Sequence, residues 1–487
     1  MKKLFRADSL DALRGLTIAM MILCGCICNW VLPDWMSHCQ VPPGKGFDPT
    51  IYGITWVDLV FPFFLFAMGA AMPFSVGSRI DRGTRRVTLC LEAVWRGLKL
   101  AFFAIYLQNM YPWVIMSAFH TDVQTPSVWL TCISSFIVLF LLFTRWPGKG
   151  HALLKFMLPV AGVIIACGMM YWAECAKAGA PVGVQEFSAR IDSIIYQSNI
   201  IILILGNVAV FGTIAYIFTM SNPLARIAIL IFLMPILLSN DVDGSWQQKV
   251  YYWSPFPWLY RFEFLKYLFI VIPGTIAGEY LRNWIVNGNL EQESTESKRA
   301  VSTALVAINS LAIIVVNITL LFGRHLVSNL WLSALLAAMT VYFAHRLPDN
   351  RRVLSRMVKA GAFLLMLGLF FESFQGGIRK DDPTYSYYFV TSGLSFYCLA
   401  MLVIVCDVYR WKWITMPFSL AGKNPMIAYA APQLFFAPLF NLCHISDPEC
   451  IMWGSTPFLG LMRGVVYTVL AVGIAALFSK LKLYWRT

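Results

Sequence analysis

The chain has 487 residues, of which 59% are apolar and 13% are charged, about half the charge share of a soluble globular protein. So little polar surface cannot coat a water-soluble particle of this size, but a lipid-facing surface needs no such coat. The net charge of +13 would suit nucleic acid, yet the Lys and Arg residues lie in short clusters between apolar stretches. That distribution marks membrane topology and excludes a nucleic-acid partner.

The basic start, Met1 to Arg6, precedes an apolar run. Asp11 and Arg14 just inside that run and the lack of a small-residue cleavage site argue for a first membrane helix, not a signal peptide. Apolar stretches of bilayer length are then expected at Leu10–Val31, Trp56–Val76, Leu89–Tyr106, Val128–Phe143, Leu153–Trp172, Asn199–Thr219, Pro223–Leu238 and Phe264–Leu281. Further stretches follow at Val301–Phe322, Leu326–Ala344, Lys359–Phe371, Tyr388–Cys406, Ile414–Leu442 and Phe458–Phe478. The expected fold is all-α, a polytopic transmembrane bundle of about 14 spans, with an even count between about 10 and 14.

Basic clusters set the orientation. Lys2, Lys3 and Arg6, then Arg79, Arg82, Arg85 and Arg86, then Arg346–Arg356 and Lys480–Arg486 fall on one side, with roughly three-quarters of the Lys and Arg there. Both termini are therefore expected inside. Residues 1–281 read as one bundle, 282–300 as a polar cytoplasmic linker, and 301–487 as a second bundle. The outer loops Leu32–Thr55, Glu174–Ser198, Asn240–Tyr260, Glu372–Ser386 and Cys443–Thr456 are rich in Pro, Gly, Trp and Tyr, a composition suited to the membrane interface. Most of the twelve cysteines lie inside apolar spans as small packing residues. Cys443 and Cys450 are placed to form a disulfide if their loop faces an oxidising compartment.

Ionisable groups within spans are costly and mark either function or a buried pair. Asp11 and Arg14 share a helix face. Asp58 opens the second span ahead of Pro62, where a dipole-favoured acid and an early Pro would also be ordinary. His38 lies in the loop between those helices, on the same membrane face as Asp58, and a His beside a carboxylate suits a general base. Gly422-Lys-Asn424-Pro breaks a span and exposes backbone groups, as happens where protein or a cavity satisfies them. Glu372–Lys380 is a polar, turn-forming outer loop. No zinc-ligand spacing, phosphate loop, nucleophile elbow or dinucleotide fingerprint occurs, and no metal is expected.

Ser9-Leu-Asp11-Ala-Leu-Arg14-Gly15, then His38, then Asp58-Leu-Val-Phe-Pro-Phe-Phe-Leu-Phe-Ala-Met-Gly69, then Gly422-Lys-Asn424-Pro together resemble the heparan-α-glucosaminide N-acetyltransferase family, and more closely its bacterial relatives. The resemblance implies a transmembrane acetyltransferase. Cytoplasmic acetyl-CoA would be the co-substrate, an amino sugar or glycan on the far side the acceptor, and membrane lipid the setting. A bacterial inner membrane is the expected location, and a homodimer is an open option. On this resemblance His38 is the essential catalytic residue, either a general base oriented by Asp58 or the carrier of the acetyl group in a ping-pong route, while Asp11 and Arg14 lie by the cofactor. Asn424 would polarise the thioester carbonyl. The clusters around Arg82 and Arg86 would hold the CoA phosphates. The family carries an Asn near the outer end of the first span where this chain has Gly25, and Asn29 is expected to reach from one helical turn later. Two alternatives stay open: a proton-coupled secondary transporter of sugars or their derivatives, and a non-catalytic partner in envelope glycan assembly.

Overall fold

A computed structural model describes residues 7–120, 125–145, 152–178, 184–220, 222–287, 301–446 and 454–485. In chain order the helices are α1 (Asp8–Cys26), α2 (Trp56–Met72), α3 (Ser78–Ile80), α4 (Arg86–Asn109), α5 (Pro112–Ala118), α6 (Pro126–Phe143), α7 (Ala152–Ala178), α8 (Val184–Tyr196), α9 (Ile200–Thr219) and α10 (Pro223–Leu238). They continue as α11 (Trp246–Tyr252), α12 (Leu268–Val286), α13 (Val301–Phe322), α14 (Leu326–His345), α15 (Arg352–Phe370), α16 (Tyr385–Leu402), α17 (Lys412–Ala421), α18 (Pro425–Ala431), α19 (Ala437–Leu442) and α20 (Pro457–Lys480). Two short strands, β1 (Thr144–Arg145) and β2 (Tyr484–Trp485), pair antiparallel and tie the last residues to the end of α6.

Among the described residues, 11 helices are long and apolar enough to cross a membrane, and the chain is an α-helical membrane bundle. Three of the expected spans depart from that description for physical reasons. The helix over Leu89–Tyr106 carries Glu92, Arg96 and Lys99. The helix at Pro223–Leu238 is short. The segment Ile414–Leu442 is broken at Gly422–Asn424, after which α18 runs on into α19 through one wide helical turn at Pro432–Phe436. Elsewhere α15 begins at Arg352, ahead of the expected Lys359, and α12 continues to Val286, past the expected start of the linker. Residues 288–300, and Cys450 with its suggested disulfide, lie outside the described residues. The loops expected at 174–198 and 240–260 contain helices α8 and α11.

Helices α12 and α16 are buried almost throughout, whereas α7 and α14 turn exposed Leu153, Phe156, Ile164, Val327, Trp331 and Leu335 outward. Water gives no driving force between helices in lipid, so close packing of small residues takes its place. Gly274 and Gly278 of α12 show this: an added Cβ would fall 2.3 Å from the Phe66 carbonyl oxygen and 2.2 Å from that of Ala70, both on α2. One main core has members from Ala7 to Trp485, beside a small separate cluster of Ile27, Leu32 and Met36, and α1 packs against α2, α17 and α20. Helices from either side of residues 282–300 therefore share one core.

A buried ion pair locks α9, α10 and α12. Arg226, fully buried, donates to Glu279 Oε1 at 2.8 Å, to Thr275 Oγ1 at 2.8 Å, and to both the hydroxyl and carbonyl of Thr219. Its guanidinium also lies over the Tyr216 ring. These partners offset the cost of desolvating the charge.

Candidate functional site

α1 ends at Cys26 because Ile27 turns extended. The chain then passes through two short turns, Asn29–Val31 and Asp34–Met36, before Thr55 opens α2. Asp58 is the third residue of α2, and its carboxylate does two jobs. Oδ2 accepts the backbone N–H of Thr55 at 2.9 Å and of Cys39 at 3.2 Å. This caps the helix in the manner expected of a first-turn acid. Oδ1 lies 2.8 Å from His38 Nδ1. One oxygen thus caps the helix and the other meets His38. The Thr55 hydroxyl donates to the Ser37 carbonyl at 2.7 Å, and the Tyr387 hydroxyl donates to the Asp58 carbonyl at 2.7 Å. These bonds hold the turn carrying His38 against both α2 and α16.

A carboxylate only accepts hydrogen bonds, so the proton of a neutral His38 sits on Nδ1 and the lone pair on Nε2. His38 remains partly exposed and lines a cavity. Lys380 Nζ lies 3.1 Å from Nδ1 and 3.4 Å from Nε2. The loop bearing Lys380 is stapled to the loop bearing His38. Asp381 donates its N–H to Gln40 Oε1 at 2.7 Å and accepts from the Gln40 amide. Gly53 donates to the Ile378 carbonyl at 2.7 Å, and Arg324 and Arg379 both lie on the Tyr52 ring. At the base of this loop the buried Glu372 carboxylate pairs with Arg324 and accepts from the Ile378 N–H and the Ser386 hydroxyl. Burial, reinforced by the Asp58 charge, pushes the nearby Cys39 thiol up to about 12, against a smaller opposing effect of Arg324. On the same loop the hydroxyl and N–H of Thr50 hold Asp48 below the usual carboxylate range.

His38 and Lys380 open into a cavity of about 790 Å³. Its mouth carries Arg261, Glu263, Lys266 and Asp382, and its deeper walls are mostly apolar, including Met21, Ile22 and Ile204. Tyr111, Tyr429 and Gln433 supply polar groups at depth. Asn199 joins the two tyrosine hydroxyls, each 3.4 Å away. The wide turn at Pro432–Phe436 brings Pro432 and Gln433 to the wall. Gly25 also faces the cavity, and a Cβ there would meet no atom within 4 Å.

The remaining expected residues lie elsewhere. Asp11 and Arg14 pair at 2.5 Å near the other end of α1, about 20 Å along the axis from Gly25. Beside them α1 crosses α17 closely: a Cβ on Gly15 would fall 1.8 Å from the Phe418 carbonyl oxygen, and one on Gly422 2.1 Å from that of Asp11. Asn424 belongs to this same end. It donates to Ser479 Oγ at 3.1 Å and to the Leu483 carbonyl at 2.9 Å, and accepts the Trp485 N–H at 3.0 Å. It clamps the end of the chain and is not beside His38, so the expected role as carbonyl donor there is corrected. Asn29 is corrected as well. Because the helix stops at Cys26, Asn29 sits in an exposed turn and not one helical turn above Gly25, and it is not part of the cavity wall. Arg82 donates to the Ser78 carbonyl at 2.9 Å and, with Arg86, is exposed at the far end of α2 from Asp58. Lys380 closes the polar loop Glu372–Lys380 marked in the sequence, but its place beside His38, like the cavity positions of Tyr111 and Tyr429, is not readable there.

A family model described as a domain of unknown function, DUF5009, matches residues 6–281, more than half of the chain. The chain belongs to that family. No curated protein matches it. The matched stretch holds His38, Asp58 and the cavity walls from α1, α2 and α9, while Lys380, Tyr429 and Gln433 come from beyond it.

Proposed function

We propose that this protein is a membrane-bound acetyltransferase, moving acetyl from cytoplasmic acetyl-CoA to an amino sugar or glycan on the opposite side of a bacterial inner membrane. The observation that carries the reading is the His38–Asp58 pair at the mouth of a large, mainly apolar cavity. Positive-inside counting gives the finer topology: both termini inside, about 14 crossings, and the His38 end facing the periplasm. In this reading the polyanionic CoA head stays at the Arg14 end, where Arg82 and Arg86 also lie. The cavity floor at Met21 is about 10 Å along α1 from Arg14, so an extended thioester arm has a short wall to pass. Asp58 holds the imidazole with the Nε2 lone pair turned toward Lys380 and the cavity, and Nε2 removes the proton of the attacking amine as it meets the thioester carbonyl. The resemblance of the Asp11–Arg14, His38, Asp58 and Asn424 blocks to heparan-α-glucosaminide N-acetyltransferases supports the choice of acyl donor and acceptor class.

The test is acetyl transfer by purified protein in detergent, with radiolabelled acetyl-CoA and a panel of amino sugars. The reading expects labelled sugar and stoichiometric free CoA with wild type, and neither with folded His38→Ala. Equal turnover in the variant contradicts it. A second reading, a proton-coupled sugar transporter, is favoured by the break between α17 and α18 and by the wide helical turn at Pro432–Phe436 that lines the cavity. It expects uptake into liposomes that follows a pH gradient and ignores CoA.

A further inference from the structure

With Asn424 at the opposite end of the bundle, the cavity still needs a donor for the charge that develops on a thioester oxygen. We propose that the Lys380 ammonium is that donor, so that Asp58, His38 and Lys380 act as one unit. The inference rests on the acetyltransferase reading above.

Lys380 is a cavity-lining cation within 3.4 Å of His38 Nε2, the nitrogen left with its lone pair. Its own carboxylate neighbour, Asp381, is 3.9 Å away and partly exposed, so this contact is a long one and not a buried ion pair. Its backbone is fixed on both sides. Asp381 exchanges two hydrogen bonds with Gln40, Ile378 is held by Glu372 and Gly53, and Arg379 donates to the Pro49 carbonyl at 3.2 Å. A donor held in place before reaction costs no reorganisation when charge appears. A thioester entering from the cavity would replace the direct Nζ–Nε2 contact, with its nucleophile beside the base and its oxygen beside the ammonium.

The step balances as follows. The nitrogen of a neutral acceptor amine attacks the thioester carbonyl carbon, and the carbonyl π pair moves to oxygen, where an Nζ–H of Lys380 holds it. His38 Nε2 takes the amine proton. The pair on oxygen then re-forms the carbonyl, the C–S bond breaks with its electrons going to sulfur, and the imidazolium returns its proton to the thiolate. The products are the N-acetylated sugar and CoA thiol, and Lys380 ends as it began.

The experiment measures kcat and KM for acetyl-CoA in Lys380→Met, Lys380→Gln and Lys380→Arg beside wild type, with thermal unfolding in detergent as the control for folding. Removing one oxyanion donor costs about 10²- to 10³-fold in kcat. The expected result is a loss of that size in the Met and Gln variants, KM within about threefold of wild type, and partial recovery in the Arg variant. Met or Gln variants that keep kcat within about threefold overturn the Lys380 assignment and leave the acetyltransferase reading standing. Equal losses in all three variants, accompanied by a large rise in KM or a collapse in unfolding temperature, assign Lys380 to loop structure and also overturn it. A wild-type protein that transfers no acetyl group removes the reading and this inference together.

Discussion

Asp58→Asn separates the two tasks of one carboxylate. Asn is nearly isosteric, so its oxygen can still accept from the N–H groups of Thr55 and Cys39, which Asp58 meets at 2.9 and 3.2 Å. Its amide NH₂ must then face His38 Nδ1, where the carboxylate oxygen sat at 2.8 Å. A donor at that position forces the imidazole proton onto Nε2, and the base disappears from the cavity. The structural cost is modest. Exchanging a charged for a neutral acceptor loses about 1 kcal/mol per bond, or about 2 kcal/mol for the two backbone bonds. The chemical cost is large, because a wrong tautomer in a His–carboxylate pair lowers kcat by about 10⁴-fold, equivalent to about 5 kcal/mol of barrier. The assay is initial-rate acetyl transfer alongside thermal unfolding in detergent. A folded Asp58→Asn protein that keeps kcat within about threefold of wild type refutes the reasoning, since neither the tautomer nor the charge would then matter.

Gly422→Ala would place a Cβ 2.1 Å from the Asp11 carbonyl oxygen, and backbone cannot yield cheaply. Destabilisation of about 1–3 kcal/mol is expected, read as a lower unfolding temperature, and an unchanged temperature contradicts the close crossing of α1 and α17. Glu279→Gln leaves the Arg226 charge buried without its counter-ion. A loss of about 3–5 kcal/mol is expected, and a variant as stable as wild type would show that the threonines and Tyr216 suffice. Gly25→Leu fills open cavity space without striking neighbours at its Cβ. It should fold normally and lose turnover, so a fully active variant would place substrate elsewhere.

The sequence made helices legible where apolar runs of bilayer length were uninterrupted, as at Pro126–Phe143 and Val301–Phe322. His38 and Asp58 were legible because they are 20 residues apart on one loop and the helix it feeds. The loop ending at Lys380 was marked, but its pairing with His38 was not legible, because that contact spans 342 residues and depends on how two loops are stapled. Asn424 sits at a break that hydropathy locates, but one dimension does not say which end of the bundle a break belongs to. Asn29 illustrates a local error. Hydropathy carries the first span on to Val31, whereas α1 ends at Cys26 and the chain turns ahead of Pro33. The spacing of Gly274 and Gly278 is a known pattern for close helix approach and was readable beforehand.

The central claim, that acetyl crosses from a donor on one side to an acceptor on the other with His38 as base, is tested most directly in oriented proteoliposomes. Acetyl-CoA is supplied only at the face bearing the chain termini, and a membrane-impermeant amino sugar only at the His38 face. The account predicts acetylated sugar at the His38 face and free CoA at the other with wild type, and neither with His38→Ala. Acetylated sugar appearing equally with the variant, or CoA intact while wild-type vesicles take up sugar along a pH gradient, would contradict it.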